Sequence, residues 1–580
     1  MTGLLEDDET TVARPRARGA RRRPSLGHAL VLVLAAGVPL AFLGMFFAWP
    51  VATLVGRGFL TGGALDLSGF ADVFARPRTW RIIGLTLAQA ATATVIAVGL
   101  GVPGAYVLFR CRFRGRGAVR AFVTVPFVLP TVVVGVAFRA LLTPGGPLGF
   151  LHLDQTFAAI VAALVFFNYA VVVRTIGSMW EHLDPRAEQA ARALGASPAR
   201  AFVQVTLPAL VPAIVSAASL VFLFCATAFG TVLILGGLRF GTIETEIWVQ
   251  TTQFLDLRAA SVLSVIQLVV VAAVLAVAAR ARGRREQALQ LAAADGASRR
   301  LRLGRGHVAA TVATAITAVT VTLLALPLAT LVGRSLRTPT GWGLGNYRAL
   351  GTTGGRNALT VTVWDAAATS LRTAVAATVL ALVIGGLVAL VVSRRPRARA
   401  GRRAVSLLDA VFMLPLGVSA VTVGFGFLIT LARPLGQHVD LRTSGLLVPI
   451  AQAVVAVPLV VRTMLPVLRA IDPRLREAAA ALGASPGRVL AAVDLPMAAR
   501  ALGLAIGFAF AVSLGEFGAT SFLARPDAPT LPVVIFRLIG RPGAQNYGMA
   551  LAASVVLGAL TAGIMACAER WRGTMNAGEF

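Results

Sequence analysis

The 580-residue chain contains no lysine, so its 54 basic residues are all arginine. A Walker A loop needs a lysine to reach the terminal phosphates of a nucleotide. ATP hydrolysis through such a loop is therefore excluded for this chain. Cysteine is scarce: Cys111, Cys225 and Cys567 are the only three, without disulfide or metal spacing. Histidine is scarce too, five residues with none paired in a motif. This leaves no catalytic cluster, no metal ligand set and no cofactor signature, which argues against an integral-membrane enzyme. Charge is also thin, at 14% of residues, against roughly 25% in soluble globular proteins. No alternating ten-residue strand pattern of a membrane barrel is present either.

What the chain has is apolar length. Hydrophobic residues make up 57% of it and the mean hydropathy is +0.79. Many apolar runs exceed the roughly 18 residues that suffice to cross a bilayer as a helix. The class is therefore an all-α polytopic membrane protein, since helices satisfy their own backbone groups in lipid. Twelve spans are expected, near 29–55, 82–109, 119–142, 157–177, 209–237 and 259–279, then 308–333, 370–392, 406–432, 445–465, 499–523 and 548–568. The apolar run from Ala29 to Leu54 is too long for a signal-peptide core and reads as a retained first span. The organisation that follows is a tail (1–28), a six-span half (29–279), a polar linker (280–306), a second six-span half (307–570) and a short tail (571–580).

The net charge of +29 raises the question of nucleic acid, but its distribution answers differently. Arginines gather between spans, at Arg14 to Arg23, Arg110 to Arg120, Arg280 to Arg305 and Arg394 to Arg403. That is the positive-inside pattern of membrane topology, not the footprint of a nucleic-acid groove. It places both termini in the cytoplasm. Arg76, Arg78 and Arg81 fall on the outer side and depart from the pattern.

The chain also repeats itself. Leu183 to Pro208 (LDPRAEQAARALGASPARAFVQVTLP) matches Ile471 to Pro496 (IDPRLREAAAALGASPGRVLAAVDLP) without a gap, at an offset of 288 residues. The match continues into the spans: VVVRT at 171–175 with LVVRT at 459–463, Phe229-Gly230 with Phe517-Gly518, and Thr242 with Thr530. The halves are parallel repeats, which implies a pseudo-two-fold axis along the membrane normal. Both copies of the polar segment fall on the cytoplasmic side, between spans four and five. Each reads as helix, turn, helix. Asp184-Pro185 and Asp472-Pro473 start the first helix, Gly195 and Gly483 stop it, and Ser197-Pro198 and Ser485-Pro486 cap the next. Gene duplication accounts for similar spans. It accounts less well for a loop that matches better than the spans around it, and a docking element for two equivalent sockets does.

These segments resemble the EAA loop of binding-protein-dependent ABC importer permeases. The second copy fits the pattern with Glu477, Ala478, Ala479, Gly483, Leu495 and Pro496. The first keeps Ala190, Ala191 and Gly195 but carries Gln189 at the acidic position, with Glu188 one residue earlier. The resemblance implies a type I ABC importer fold in a bacterial cell membrane. It also implies that these loops are coupling helices docked on two copies of an ABC ATPase subunit. That ATPase would use ATP and magnesium, an extracytoplasmic binding protein would deliver the substrate, and this chain would bind no cofactor. The fused double length, together with FFNYAVVVRT (166–175), TAFGTVLILGG (227–237), TIETEIWVQ (242–250), SLGEFGATSFL (513–523) and TLPVVIFRLIG (530–540), resembles the thiamine and ferric-iron branch. Thiamine is favoured over ferric iron, with sulfate, molybdate and polyamines behind.

Inside the spans, Glu516 is the one carboxylate this reading places deep, so it is a candidate for facing a cationic ligand. Bonding to backbone or to Ser513 is the alternative. Asn168 and Tyr169 are candidates for cavity lining or for hydrogen bonding between helices. Arg174 and Arg462 read as anchors at matching ends of span four. A twelve-span secondary transporter is the rival class. Its expected acidic residue is missing from the basic loop FRCRFRGRG (109–117), and intramembrane carboxylates are nearly absent.

Overall fold

The computed structural model describes residues 26–237, 239–283, 299–301, 303–304, 308–393, 399–432 and 440–577. The expected N-terminal tail to Arg23, most of the linker and the arginines at 394–398 lie outside these residues. Among the described residues, nine helices are long and apolar enough to cross a membrane. Two bent helix pairs raise that number to eleven. The twelfth place, expected at 406–432, is filled by Arg399–Met413 and Ala420–Thr430 on either side of a turn at Leu414–Gly417. The same break occurs in the first half, where Arg116–Val128 and Thr131–Leu142 meet at 103° across Leu129-Pro130. Proline has no N–H to continue the ladder and clashes with the preceding turn. Hydropathy alone therefore reads both third spans as continuous when neither is.

The two halves are built alike. Span two (Pro77–Ala105; Val363–Ser393) packs against span four (Phe157–His182; Leu447–Ala470) and span five (Leu207–Ala226; Leu495–Gly515). Span five also lies against span six (Leu257–Gly283; Ala544–Ala577). Small residues set the distances: the bare face of Gly104 receives the Tyr169 hydroxyl, where a methyl group would collide with it.

The first spans bridge the two halves. Leu26–Leu43 and Trp49–Phe59 pack on Val363–Ser393 and Ala420–Thr430 of the second half. Val308–Ser335 reciprocates on Pro77–Ala105 and Thr131–Leu142 of the first. Phe46 meets Phe427 at 6.2 Å between ring centroids. Arg334 Nη1 donates to the Ala140 carbonyl at 2.7 Å. The buried apolar residues form two clusters, each containing residues of both halves, so each half is strapped to the other by its own first helix.

One segment expected in a loop is buried. After a break at 227–229, the chain forms Gly230–Leu235, turns, and re-enters the bundle as Ile243–Thr252. The second half repeats this with Thr520–Leu523 and Leu531–Gly540. Hydroxyls of span two satisfy the first N–H of each re-entrant helix: Ile243 N donates to Thr86 Oγ1 at 3.1 Å, and Leu531 N to Ser370 Oγ at 2.7 Å.

The arginines that depart from the positive-inside pattern each have a partner. Arg76 pairs with Asp256 at 3.8 Å, Arg78 with Glu246 at 2.8 Å, and Arg81 Nη2 donates to the Arg239 carbonyl at 3.2 Å. Glu246 is buried and its oxygens take three bonds from Arg78 and one from Gln250 Nε2. Arg78→Met should lower thermal stability by about 2 kcal/mol, the order of a charge-assisted bond lost to a buried carboxylate. Arg78→Lys should recover only part of it, because an ammonium cannot reproduce the two-nitrogen contact. Thermal unfolding of the detergent-purified variants checks both.

Candidate functional site

The repeated polar segments fold as their local chemistry requires. Asp184 Oδ1 accepts from Arg186 N at 2.9 Å and Asp472 Oδ1 from Arg474 N at 2.9 Å. The helices Arg186–Ala193 and Pro473–Ala481 follow. Each ends with a left-handed glycine, Gly195 at φ +89° and Gly483 at φ +84°. Gly195 N then donates to Arg192 O at 3.0 Å and Ala196 N to Ala191 O at 3.1 Å; Gly483 and Ala484 do the same to Ala480 and Ala479. This is the Schellman stop, which a glycine accommodates without a Cβ penalty. A Cβ at either glycine would meet nothing within 4 Å, so the requirement is in the backbone alone. Ser197 and Ser485 cap the next turn from equivalent positions.

These two helices bury no residue. Gln189 and Ala190 are exposed, as are Glu477 and Ala478, while Ala191 and Ala479 are half-buried. At each tip stands a leucine that sequence reasoning passed over. Leu194 is 90% exposed and Leu482 89%, the two most exposed large hydrophobic residues among those described. They occupy equivalent positions in the repeat, directly before the left-handed glycines. Their signal in the sequence was a leucine kept in both copies of a polar loop. Its meaning depends on exposure, which the sequence does not state.

The halves differ one turn back. Glu188 is half-buried and its Oε2 accepts from Thr206 Oγ1 at 3.5 Å, toward the start of span five. At the equivalent place Arg476 Nε donates to Asp494 Oδ1 at 2.6 Å, and its Nη2 to Leu468 O at 3.1 Å. The charges are exchanged while the tether from loop helix to span five is kept. Below the first loop, Arg110 Nη1 reaches Trp180 O and Leu183 O, both at 3.4 Å. Arg120 Nε donates to Leu108 O at 2.6 Å and its guanidinium stacks 3.9 Å from the Phe109 ring centre. Arg174 and Arg462 are exposed at matching positions on span four.

The interior candidates take different places. Asn168 and Tyr169 are buried within the first half. Asn168 Nδ2 donates to Leu164 O at 2.9 Å and lies 3.4 Å from Cys225 Sγ, in the seam between spans four and five. Glu516 Oε1 accepts from Ala519 N at 2.7 Å and its Oε2 from Thr520 N at 3.0 Å. The carboxylate thus caps the short helix after the break in span five, the backbone alternative rather than a bond to Ser513. Glu516 is also not the one deep carboxylate. Glu244, expected outside the spans, is 0% exposed on the re-entrant helix, where its Oε2 accepts from Ser419 Oγ at 2.8 Å. Residues 242–250 fall between the expected spans 209–237 and 259–279, and a helix of ten residues with two glutamates carries no hydropathy signal of a span.

Rings from the two halves meet at the two breaks. Phe229 and Phe517, equivalent in the repeat, stack at 5.4 Å and 20°. Trp248 and Phe536, also equivalent, meet edge to face at 5.7 Å and 89°. Phe517 joins the pairs by contacting Phe536 at 5.4 Å. Residues related by a two-fold operation that touch one another lie on its axis, so this quartet marks the pseudo-two-fold axis.

Comparison with known proteins agrees with this duplicated architecture. The family model described as binding-protein-dependent transport system inner membrane component matches twice, at residues 95–285 and 381–573. The thiamine transport system permease protein ThiP of Brucella abortus (strain 2308) is 27% identical over 579 residues, covering 95% of this chain and 97% of that protein. The ThiP of Escherichia coli (strain K12) is 28% identical over 484 residues, covering 80% and 85%. The sulfate transport system permease protein CysT of the same strain is 30% identical over 210 residues, covering 35% of this chain and 74% of that shorter protein. The secondary-transporter class is set aside by the double family match. The chain belongs to the binding-protein-dependent transport system inner membrane components, as a fused double-length permease of an ABC importer.

Proposed function

We propose that this permease imports thiamine, received from an extracytoplasmic binding protein, and that Arg186–Ala193 and Pro473–Ala481 are its cytoplasmic coupling helices. The observation that carries the coupling reading is the pair of equivalent exposed tips, each an unburied leucine beside a left-handed glycine, on a chain with no lysine for a nucleotide loop. Each tip enters a groove on one copy of an ABC ATPase, which binds ATP and magnesium. The acidic contact is made by Glu477 in one socket, with Gln189 as a neutral substitute in the other. Asp184 and Asp472 hold the loop geometry, and Ala190, Ala191, Ala478 and Ala479 permit close approach.

ATP-driven closure of the ATPase pair moves the two loops toward each other. The tethers Glu188–Thr206 and Arg476–Asp494 carry that movement into the fifth spans. The bridging first helices keep the halves strapped while they rock about the axis, and the interior opens to each side in turn. Nucleotide state shifts the orientation only by its differential affinity for the two, on the order of 1–3 kcal/mol for typical coupling between sites. The substrate reading rests on the full-length likeness to thiamine permeases.

Reconstitution with the ATPase and binding protein should give ATP-dependent thiamine uptake. Uptake of ferric iron in place of thiamine would overturn the substrate reading. Gly483→Val forces a β-branched residue into the left-handed region, at about 1–3 kcal/mol, and Glu477→Arg reverses the socket charge. ATPase co-purification and uptake should fall together in both. Unchanged transport with both loops altered would sink the coupling reading.

A further inference from the structure

We propose that the aromatic quartet on the pseudo-two-fold axis, with the Glu244 carboxylate beside it, is both the closed gate and the stacking site through which an aromatic organic cation passes. The inference deepens the thiamine reading and rests on it.

The seal is made of rings where aliphatic side chains would close the space as well. Phe229, Phe517, Phe536 and Trp248 form a connected group at centroid separations of 5.4 to 5.7 Å. Rings of this kind offer offset-stacked and edge contacts to an aromatic ligand, at about 0.5–1.5 kcal/mol each. To a cation their faces offer about 2 kcal/mol when desolvated. A hard inorganic ion gains little from such a passage, whereas a flat, charged heterocycle matches it.

The charge is supplied by Glu244. It is fully buried; its Oε2 accepts from Ser419 Oγ at 2.8 Å, and its other polar neighbour is the neutral Gln267 side chain. The Gln267 amide lies beside it, with its Nε2 donating to Ala226 O at 3.2 Å. No ion pair to Glu244 occurs among the described residues. A buried carboxylate with neutral partners alone is expensive in a bilayer and marks a place where a passing charge can act. Glu244 and Trp248 stand four residues apart on the re-entrant helix, hence on one face of it. The Trp248 indole Nε1 is likewise buried without an acceptor. An acid and an unpaired donor therefore flank the rings on the same side.

The arrangement is asymmetric. Position 532, equivalent to Glu244, is Pro532, so the charge stands on one side of a nearly symmetric ring stack. An asymmetric ligand with one cationic ring is thereby given an orientation. Glu516 acts as a positioning residue. By capping Ala519 and Thr520 it fixes the break that aims Phe517 at the axis.

The test uses the complete transporter in proteoliposomes with its ATPase and binding protein. Uptake is measured for thiamine and for its neutral thiophene isostere, and binding-protein-stimulated ATP hydrolysis is measured alongside. The binding protein is common to all samples, so a change in the thiamine-to-isostere ratio reports on the permease. Glu244→Gln should lower thiamine uptake at least tenfold and bring the ratio toward one. Phe517→Leu keeps an aliphatic seal and should lower uptake of both compounds at least fivefold in liposomes that stay tight. If Glu244→Gln fails to assemble, Phe517→Leu decides alone. Thiamine uptake by wild type with an unchanged ratio in Glu244→Gln, or undiminished uptake in Phe517→Leu, overturns this inference and leaves the thiamine reading intact. Wild-type uptake of ferric iron without thiamine overturns both.

Discussion

Replacing both Leu194 and Leu482 by aspartate should detach the ATPase and abolish uptake while leaving the permease folded. The two side chains are about nine-tenths exposed, so nothing in this chain depends on them for packing. In the proposed complex each fills an apolar groove. Burying a leucine contributes about 1.5–3 kcal/mol, and a carboxylate placed in the same groove adds its own desolvation. One intact tip keeps half of a two-point attachment at high effective concentration, so each single variant should lose only part of the ATPase on purification. The double variant should lose nearly all of it, with affinity down about 100-fold or more. Co-purification measured against the thermal melting of the permease separates docking from stability. A double variant that retains its ATPase would remove the leucines from the interface. Leu482→Asp should be the milder single change, because Glu477 adds an acidic contact that Gln189 lacks; equal losses would mean that the apolar contact dominates.

Arg476→Glu should be the most destabilising substitution of the cytoplasmic loops. Asp494 is 1% exposed and paired to Arg476 at 2.6 Å. Removing the guanidinium strands a buried carboxylate, at about 3–5 kcal/mol, before the new repulsion is counted. Uptake should fall with stability, because the same pair tethers the loop helix to span five. The first half shows the remedy, since it holds an acid at the equivalent position against Thr206. Adding Asp494→Thr to Arg476→Glu copies that arrangement into the second half and should recover most of the stability and uptake. The four species form a double-mutant cycle whose coupling energy should be several kcal/mol and favourable. Additive losses would mean that the pair is not the tether.

Local chemistry made the repeated loops legible. Asp-Pro starts, glycine stops and serine caps act over four or five residues, so Asp184, Gly195, Ser197 and their equivalents were placed correctly from sequence. The long apolar runs were equally legible, because burial in lipid selects length and hydropathy. Two kinds of feature were not. Breaks at Leu129-Pro130 and Leu414–Gly417 leave hydropathy unchanged and divert the chain. The helix Ile243–Thr252 carries two glutamates and reads as a loop, because the partners that let it enter the bundle, Arg78, Gln267 and Ser419, lie far away in sequence.

The sequence by itself determined a duplicated, helical membrane chain with two equivalent polar loops and no lysine, since periodicity, capping and composition are local or additive properties. Only the tertiary structure decided that the first spans bridge the two halves. It also decided that Glu188 and Arg476 tether the loops from opposite charges, and that Phe229, Phe517, Trp248 and Phe536 meet on the axis. These depend on which distant residues the packing of two halves brings into contact, and an offset in the sequence names equivalent positions without stating that they touch.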